Sequence, residues 1–99
     1  SRDHFEKLLY QEAEMMKYEN RVQALDEADD SRQIEREESF LRKKISETKA
    51  EITQLENNMQ FFSNVDESNP MVRDVLKNIE RHKVQLETWK AKLKKVRSL

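Results

Sequence analysis

Apolar side chains fall at Ile34, Leu41, Ile45, Ile52, Leu55, Met59 and Phe62, with Thr48 holding the place between Ile45 and Ile52. From Leu41 the steps alternate between 4 and 3 residues. A helix turns once in about 3.6 residues, so this alternation keeps one stripe aimed at a partner and is the heptad of a coiled coil. Leu41, Thr48, Leu55 and Phe62 take the d positions, and Ile45, Ile52 and Met59 the a positions. A second seam runs through Val72, Val75, Ile79, His82, Leu86, Trp89, Leu93 and Val96, again stepping by 3 and 4. Only His82 interrupts its apolar character.

Between the seams lies Ser63-Asn64-Val65-Asp66-Glu67-Ser68-Asn69-Pro70, a run of turn formers. Asn69 is placed to cap a helix, and Pro70 suits the first helical position because it has no amide hydrogen to leave unpaired. Two long helices joined by a short turn, here residues 63–69, become antiparallel neighbours. The layers then pair Phe62 with Val72, Met59 with Val75, Leu55 with Ile79, Ile52 with His82, Thr48 with Leu86, Ile45 with Trp89 and Leu41 with Leu93. Paired residue numbers add to 134 throughout, a constant set by loop length. The expected fold is all-α, with residues 33–97 forming an antiparallel coiled-coil hairpin. Leu55, Ile79, Leu86 and Trp89 are expected to carry most of its stability.

Upstream, Leu8, Met15, Tyr18, Val22 and Leu25 also fall on a heptad, widened by Phe5, Leu9 and Met16. Continued, this seam reaches Asp29 and Arg32, two residues out of phase with Ile34. The phase break predicts an acidic amphipathic helix over residues 1–28, a turn at Asp29-Asp30-Ser31 and a restart capped by Asp30 with Gln33 three residues on. That gives an elongated three-helix arrangement. The region has no glycine or proline, so the alternative is one continuous helix about 90 Å long at about 1.5 Å per residue.

Composition narrows the classes further. Of 99 residues, 39% are charged and 35% hydrophobic, with no glycine and one proline, which suits long helices on narrow seams and disfavours glycine-turned sheets and catalytic loops. Near-cancelling charges and regular apolar spacing favour order over disorder. Absence of cysteine leaves no disulfide framework or thiolate metal site and fits a reducing compartment, so a cytoplasmic setting is expected. No apolar run approaches the roughly 20 residues of a membrane span, so no membrane partner is expected. The chain opens at Ser1 without methionine, compatible with a piece of a longer protein.

Charge is unevenly placed. Residues 1–40 hold 6 Lys/Arg and 12 Asp/Glu, and residues 41–99 hold 13 and 8, giving net charges of −6 and +5. In the expected register Arg42 sits near Lys90, Lys49 near Lys83 and Lys44 near Lys92, where a self-sufficient hairpin would oppose unlike charges. Phe40, Phe61, Met71 and Leu76 add apolar surface off the seam. Both features predict a further helix or chain covering part of this surface, and the acidic helix within residues 3–27 is a candidate.

Few residues suggest chemistry. His82 on the seam reads as a hydrogen-bonded or register-setting polar residue, and otherwise as a pH switch or metal ligand. A bundle di-iron site needs Glu-x-x-His with inward glutamates, but Ile79 precedes His82 by three and Ile52 is its layer partner. His4 has no second ligand at helical spacing and reads as solvated. Glu35, Glu37 and Glu38 look like a solvated helix face, and no serine–histidine pattern suggests a nucleophile and base. The expectation is a non-enzyme without cofactor, metal or small-molecule substrate.

Arg81, Lys83, Lys90, Lys92, Lys94, Lys95 and Arg97 make the final helix basic, with enough cations for phosphate contacts to RNA or DNA and Trp89 able to stack on a base. The competing reading puts Trp89 in the d layer against Ile45, with the lysines solvated or facing acidic residues. Self-association or a protein partner is therefore the leading expectation, and nucleic-acid binding through Lys83, Lys90, Lys92, Lys94, Lys95 and Arg97 the alternative.

The stretches Arg36-Glu-Glu-Ser-Phe-Leu-Arg-Lys-Lys, Glu51-Ile-Thr-Gln-Leu-Glu-Asn-Asn-Met-Gln-Phe-Phe62, Val75-Leu-Lys-Asn-Ile79 and Leu86-Glu-Thr-Trp-Lys-Ala-Lys-Leu93 resemble the C-terminal tail of Bacteroidetes proteins in the domain-of-unknown-function 349 family. There a similar Glu-Asn-Asn and Phe-Phe signature closes the penultimate helix before a short loop and a basic final helix. The resemblance spans about residues 36–97, and the family pattern has glycine where Gln60 stands. It implies a cytoplasmic bacterial helical protein and supplies no catalytic residue.

Overall fold

A computed structural model describes residues 1–62 and 64–99. Helix α1 runs Arg2–Asn58, a 3-10 turn covers Met59–Phe62, and helix α2 runs Pro70–Arg97. The all-α expectation holds. The chain divides into two units, residues 1–35 and 36–99.

The expected turn at Asp29-Asp30-Ser31 is absent, because all three residues are helical within α1. The three-helix arrangement and the separate helix over 1–28 are corrected accordingly. A cap stabilises a break only where the backbone gains by leaving the helix, and without glycine or proline each intrahelical bond given up is lost outright. The Asp29 carboxylate also accepts a hydrogen bond from Arg32 Nη2, one turn along the same helix. That i,i+3 contact spans the predicted break and favours unbroken helix.

The first unit is a charged single helix. Arg2 pairs with Glu6 at 3.3 Å and Lys17 with Glu14 at 3.7 Å. Its apolar stripe is uncovered, with Phe5, Leu8, Leu9, Met15, Met16, Tyr18, Val22 and Leu25 all exposed.

The second unit is the hairpin. Contacts between its helices join Glu56 to Lys83, Glu51 to His82 and Phe40 to Trp89, so rising numbers on one helix meet falling numbers on the other. These pairs add to 139, 133 and 129, straddling the expected 134. Every seam position from Leu41 to Phe62 and from Val72 to Val96 is buried or half-buried. Leu41, Thr48, Ile52, Val72 and Ile79 are fully buried. Of the four residues expected to carry stability, Ile79 belongs to that set, whereas Leu55, Leu86 and Trp89 are half-buried. Two helices alone close only the centre of each layer, so long side chains keep an edge in water. Thr48 Oγ1 donates to Lys44 O at 2.7 Å, which satisfies the one hydroxyl in the buried set.

The connection closes as its residue types predict. Val65 N donates to Phe62 O and Asn69 N to Asp66 O, each at 2.9 Å, while Ser68 N donates to the Asp66 carboxylate at 3.1 Å. No described residue needs a positive φ, which is how the turn forms without glycine. Asn69 is extended, its Oδ1 accepts from Met71 N at 2.9 Å, and Pro70 opens α2. Ser63, the first residue of the expected turn, lies outside the described residues. At the far end Ser98 caps α2, and Lys94, Lys95 and Arg97 sit where the helix dipole favours cations.

Candidate functional site

The polar crossing of the hairpin is His82. Its Nδ1 lies 2.7 Å from Asn78 O one turn back on α2, and its Nε2 lies 2.9 Å from Glu51 Oε2 on α1. Both neighbours are acceptors, so both contacts are hydrogen bonds only when each ring nitrogen carries a proton. Glu51 neighbours Ile52, the layer partner expected from the heptads. The imidazole is half-buried, and Glu51 keeps 55% of its side-chain surface. His82 therefore bridges the two helices at a fixed layer, as a register-setting polar residue does.

Four of the like-charged side chains expected beside the seam, Lys44, Lys83, Lys90 and Lys92, find carboxylates or aromatic rings within the hairpin. Lys83 Nζ meets Glu56 Oε1 at 3.4 Å across the helices, and Lys90 Nζ meets Glu87 Oε1 at 3.5 Å along α2. Lys44 meets Glu47 at 3.6 Å. Its ammonium also lies 5.6 Å from the centre of the Phe40 ring, and Lys92 lies 4.9 Å from the centre of the Trp89 ring. The two rings meet edge to face at 6.2 Å and 84°. Lys44 and Lys92 are thus each placed over the electron-rich face of one member of an aromatic pair. Phe40 belongs partly to this cluster, although half its surface remains exposed. Pairing the heptad letters missed both solutions because Glu56 and Phe40 reach diagonally across layers.

Trp89 is committed to the cluster. Its Nε1 is enclosed with no hydrogen-bond partner among the described residues, for which the surroundings offer no physical account. Lys94, Lys95 and Arg97 form no ion pair among the described residues and are exposed. An open groove of about 570 Å³ runs beside Thr88, Ala91, Lys92, Lys94, Lys95 and Ser98. Ser98 Oγ donates to Lys95 O at 2.6 Å, so the groove offers ammonium charge and aliphatic stems.

Among the described residues no group of three His, Cys, Asp or Glu side chains converges as a metal ligand set. His4 is exposed, and its backbone N donates to Ser1 Oγ at 3.3 Å. No helix of the described residues is long and apolar enough to cross a membrane.

A run of exposed apolar side chains lies on residues 1–35. Leu25, Met15 and Tyr18 keep 65%, 63% and 63% of their surface, and Leu8 keeps 50%. Phe61, Met71, Leu76 and Val84 are exposed separately on the hairpin, and of these Val84 went unflagged in the sequence because it lies off the seam. Single exposed apolar residues are ordinary, whereas a contiguous helical stripe is the less common case.

No protein family, curated protein or solved structure matches the chain.

Proposed function

We propose that this chain is a non-enzymatic helical scaffold or protein-interaction module, in which residues 36–99 are the folded hairpin and residues 1–35 carry the docking face. The observation behind this reading is the stripe Leu8, Met15, Tyr18, Val22 and Leu25, exposed along one acidic helix. Burying each such side chain in an interface contributes about 1.5–3 kcal/mol, so a partner helix covering several gains enough to offset its own ordering. A cytoplasmic setting belongs to this reading and is supported by the cysteine-free composition. The resemblance of residues 36–97 to the tail of the domain-of-unknown-function 349 family agrees with a structural role.

The test is a photo-cross-linking residue placed at Met15 in cells making the chain, beside the same chain carrying Leu8→Ser and Leu25→Ser. A defined protein, this chain included, captured by the first and lost from the second supports the module. No protein captured at position 15 overturns it.

A second reading rests on Lys94, Lys95 and Arg97, which no carboxylate among the described residues neutralises. They could hold an RNA or DNA backbone through phosphate contacts. Affinity that falls steeply with salt, and disappears when the three are changed to Glu, supports this reading. No binding at roughly 50 mM salt removes it.

A further inference from the structure

We infer that residues 4–28 pair in parallel and in register with the same residues of a second copy of this chain, forming a two-stranded coiled coil; this rests on the docking-face reading above and names its partner. The heptad places Leu8, Met15 and Val22 at a, and Gln11, Tyr18 and Leu25 at d. The apolar five are all exposed. The flanking residues decide what covers them. Lys7, Glu14 and Arg21 fall at g, and Glu12, Glu19 and Asp26 at e.

In a parallel pair each g residue faces the following e residue of the other chain. Lys7 then meets Glu12 and Arg21 meets Asp26, each contact occurring twice by the twofold axis. Glu14 against Glu19 is the one like-charged contact, and Lys17, 3.7 Å from Glu14, already partly neutralises it. Lys7, Glu12, Arg21 and Asp26 form no ion pairs of their own among the described residues, so all four are available. In the antiparallel pairing e faces e, and Glu12, Glu19 and Asp26 would form a rail of carboxylates alone. Charge thus selects a second copy and an orientation together.

The full-length purified chain provides the test, helped by its lack of cysteine. Sedimentation equilibrium over about 1–200 µM is expected to show mass rising from one chain to two by mass action. Gln11→Cys is expected to oxidise to a disulfide-linked dimer, since equivalent d positions of a parallel pair lie within the about 4.4–6.8 Å that a disulfide spans between Cα atoms. A mixture of Gln11→Cys and Val22→Cys chains is expected to give no mixed disulfide. Arg21→Glu or Asp26→Arg alone should weaken the dimer about 3- to 10-fold, and the two together should restore it. These residues are five apart on one helix and do not face each other within a chain, so the restoration is not an intrahelical effect.

One chain at every concentration overturns the inference, as does a mixed disulfide between positions 11 and 22. If the purified chain is single while the cross-linker at Met15 still captures another protein in cells, self-pairing falls and the docking face stands. If both measurements are negative, both fall.

Discussion

His82 Nε2 lies 2.9 Å from Glu51 Oε2, the contact that ties the middle of α2 to α1. A polar crossing at a seam position fixes which layer meets which at some cost in stability. We expect His82→Leu to leave stability unchanged or raise it by up to about 1 kcal/mol, because Glu51 is exposed enough to stay solvated alone. Thermal unfolding followed by circular dichroism reads this directly. A loss of about 3 kcal/mol or more would show that the bridge is a major stabilising contact.

Burial depth ranks the core. Leu41→Ala and Ile79→Ala, at positions 3% and 7% exposed, are expected to cost about 2–4 kcal/mol each. Leu55→Ala and Leu86→Ala should cost less, since their side chains already keep contact with water. Denaturant unfolding of the four variants checks the order, and equal costs would contradict it.

Leu25→Ala is a contrasting case. At 65% exposure the side chain leaves little surface to lose, so hairpin stability should shift by no more than about 0.5 kcal/mol. Dilute chain below about 1 µM is the right sample, since any pairing through residue 25 is removed there by mass action.

Asn69 holds the entry to α2 through its bond to Met71 N at 2.9 Å. Asn69→Ala is expected to cost about 1 kcal/mol and Asn69→Gly only a few tenths, because glycine lets water reach the free amide. Amide exchange of Met71 should quicken in the alanine variant while the amides near Ile79 change little.

Phe40 and Trp89 meet edge to face across the helices at 6.2 Å. Phe40→Ala removes that contact and the ring beneath Lys44, and is expected to cost about 1–2 kcal/mol. Phe40→Leu, which keeps apolar area without a ring quadrupole, should recover part of this. Indole fluorescence reports whether Trp89 becomes wetter.

The heptads, the Asn69–Pro70 start and the polar run before it made the hairpin legible. Each is a local property, since side-chain spacing sets the face a helix buries and a cap needs only its own next turn. The antiparallel sense was legible too, because a short loop between two long helices leaves them neighbours running in opposite directions. The break at residues 29–31 was misread because a shift in seam phase shows where a partner changes and not where a helix stops. The partners of Lys83 and Lys92 were not legible because heptad letters compare directly facing positions, whereas Lys83 reaches Glu56 on a diagonal and Lys92 turns to the Trp89 ring.

Sequence alone determined that two rods would form, which stripe each would bury and where the chain would reverse. Only the tertiary structure decided how deeply each layer closed, which carboxylate or ring received each lysine, and that His82 would reach Glu51. Helix formation and amphipathic facing depend on neighbours three or four residues apart, which a linear pattern records. The choice among several reachable partners depends on side-chain length and diagonal geometry across two packed helices, which spacing along one chain does not encode.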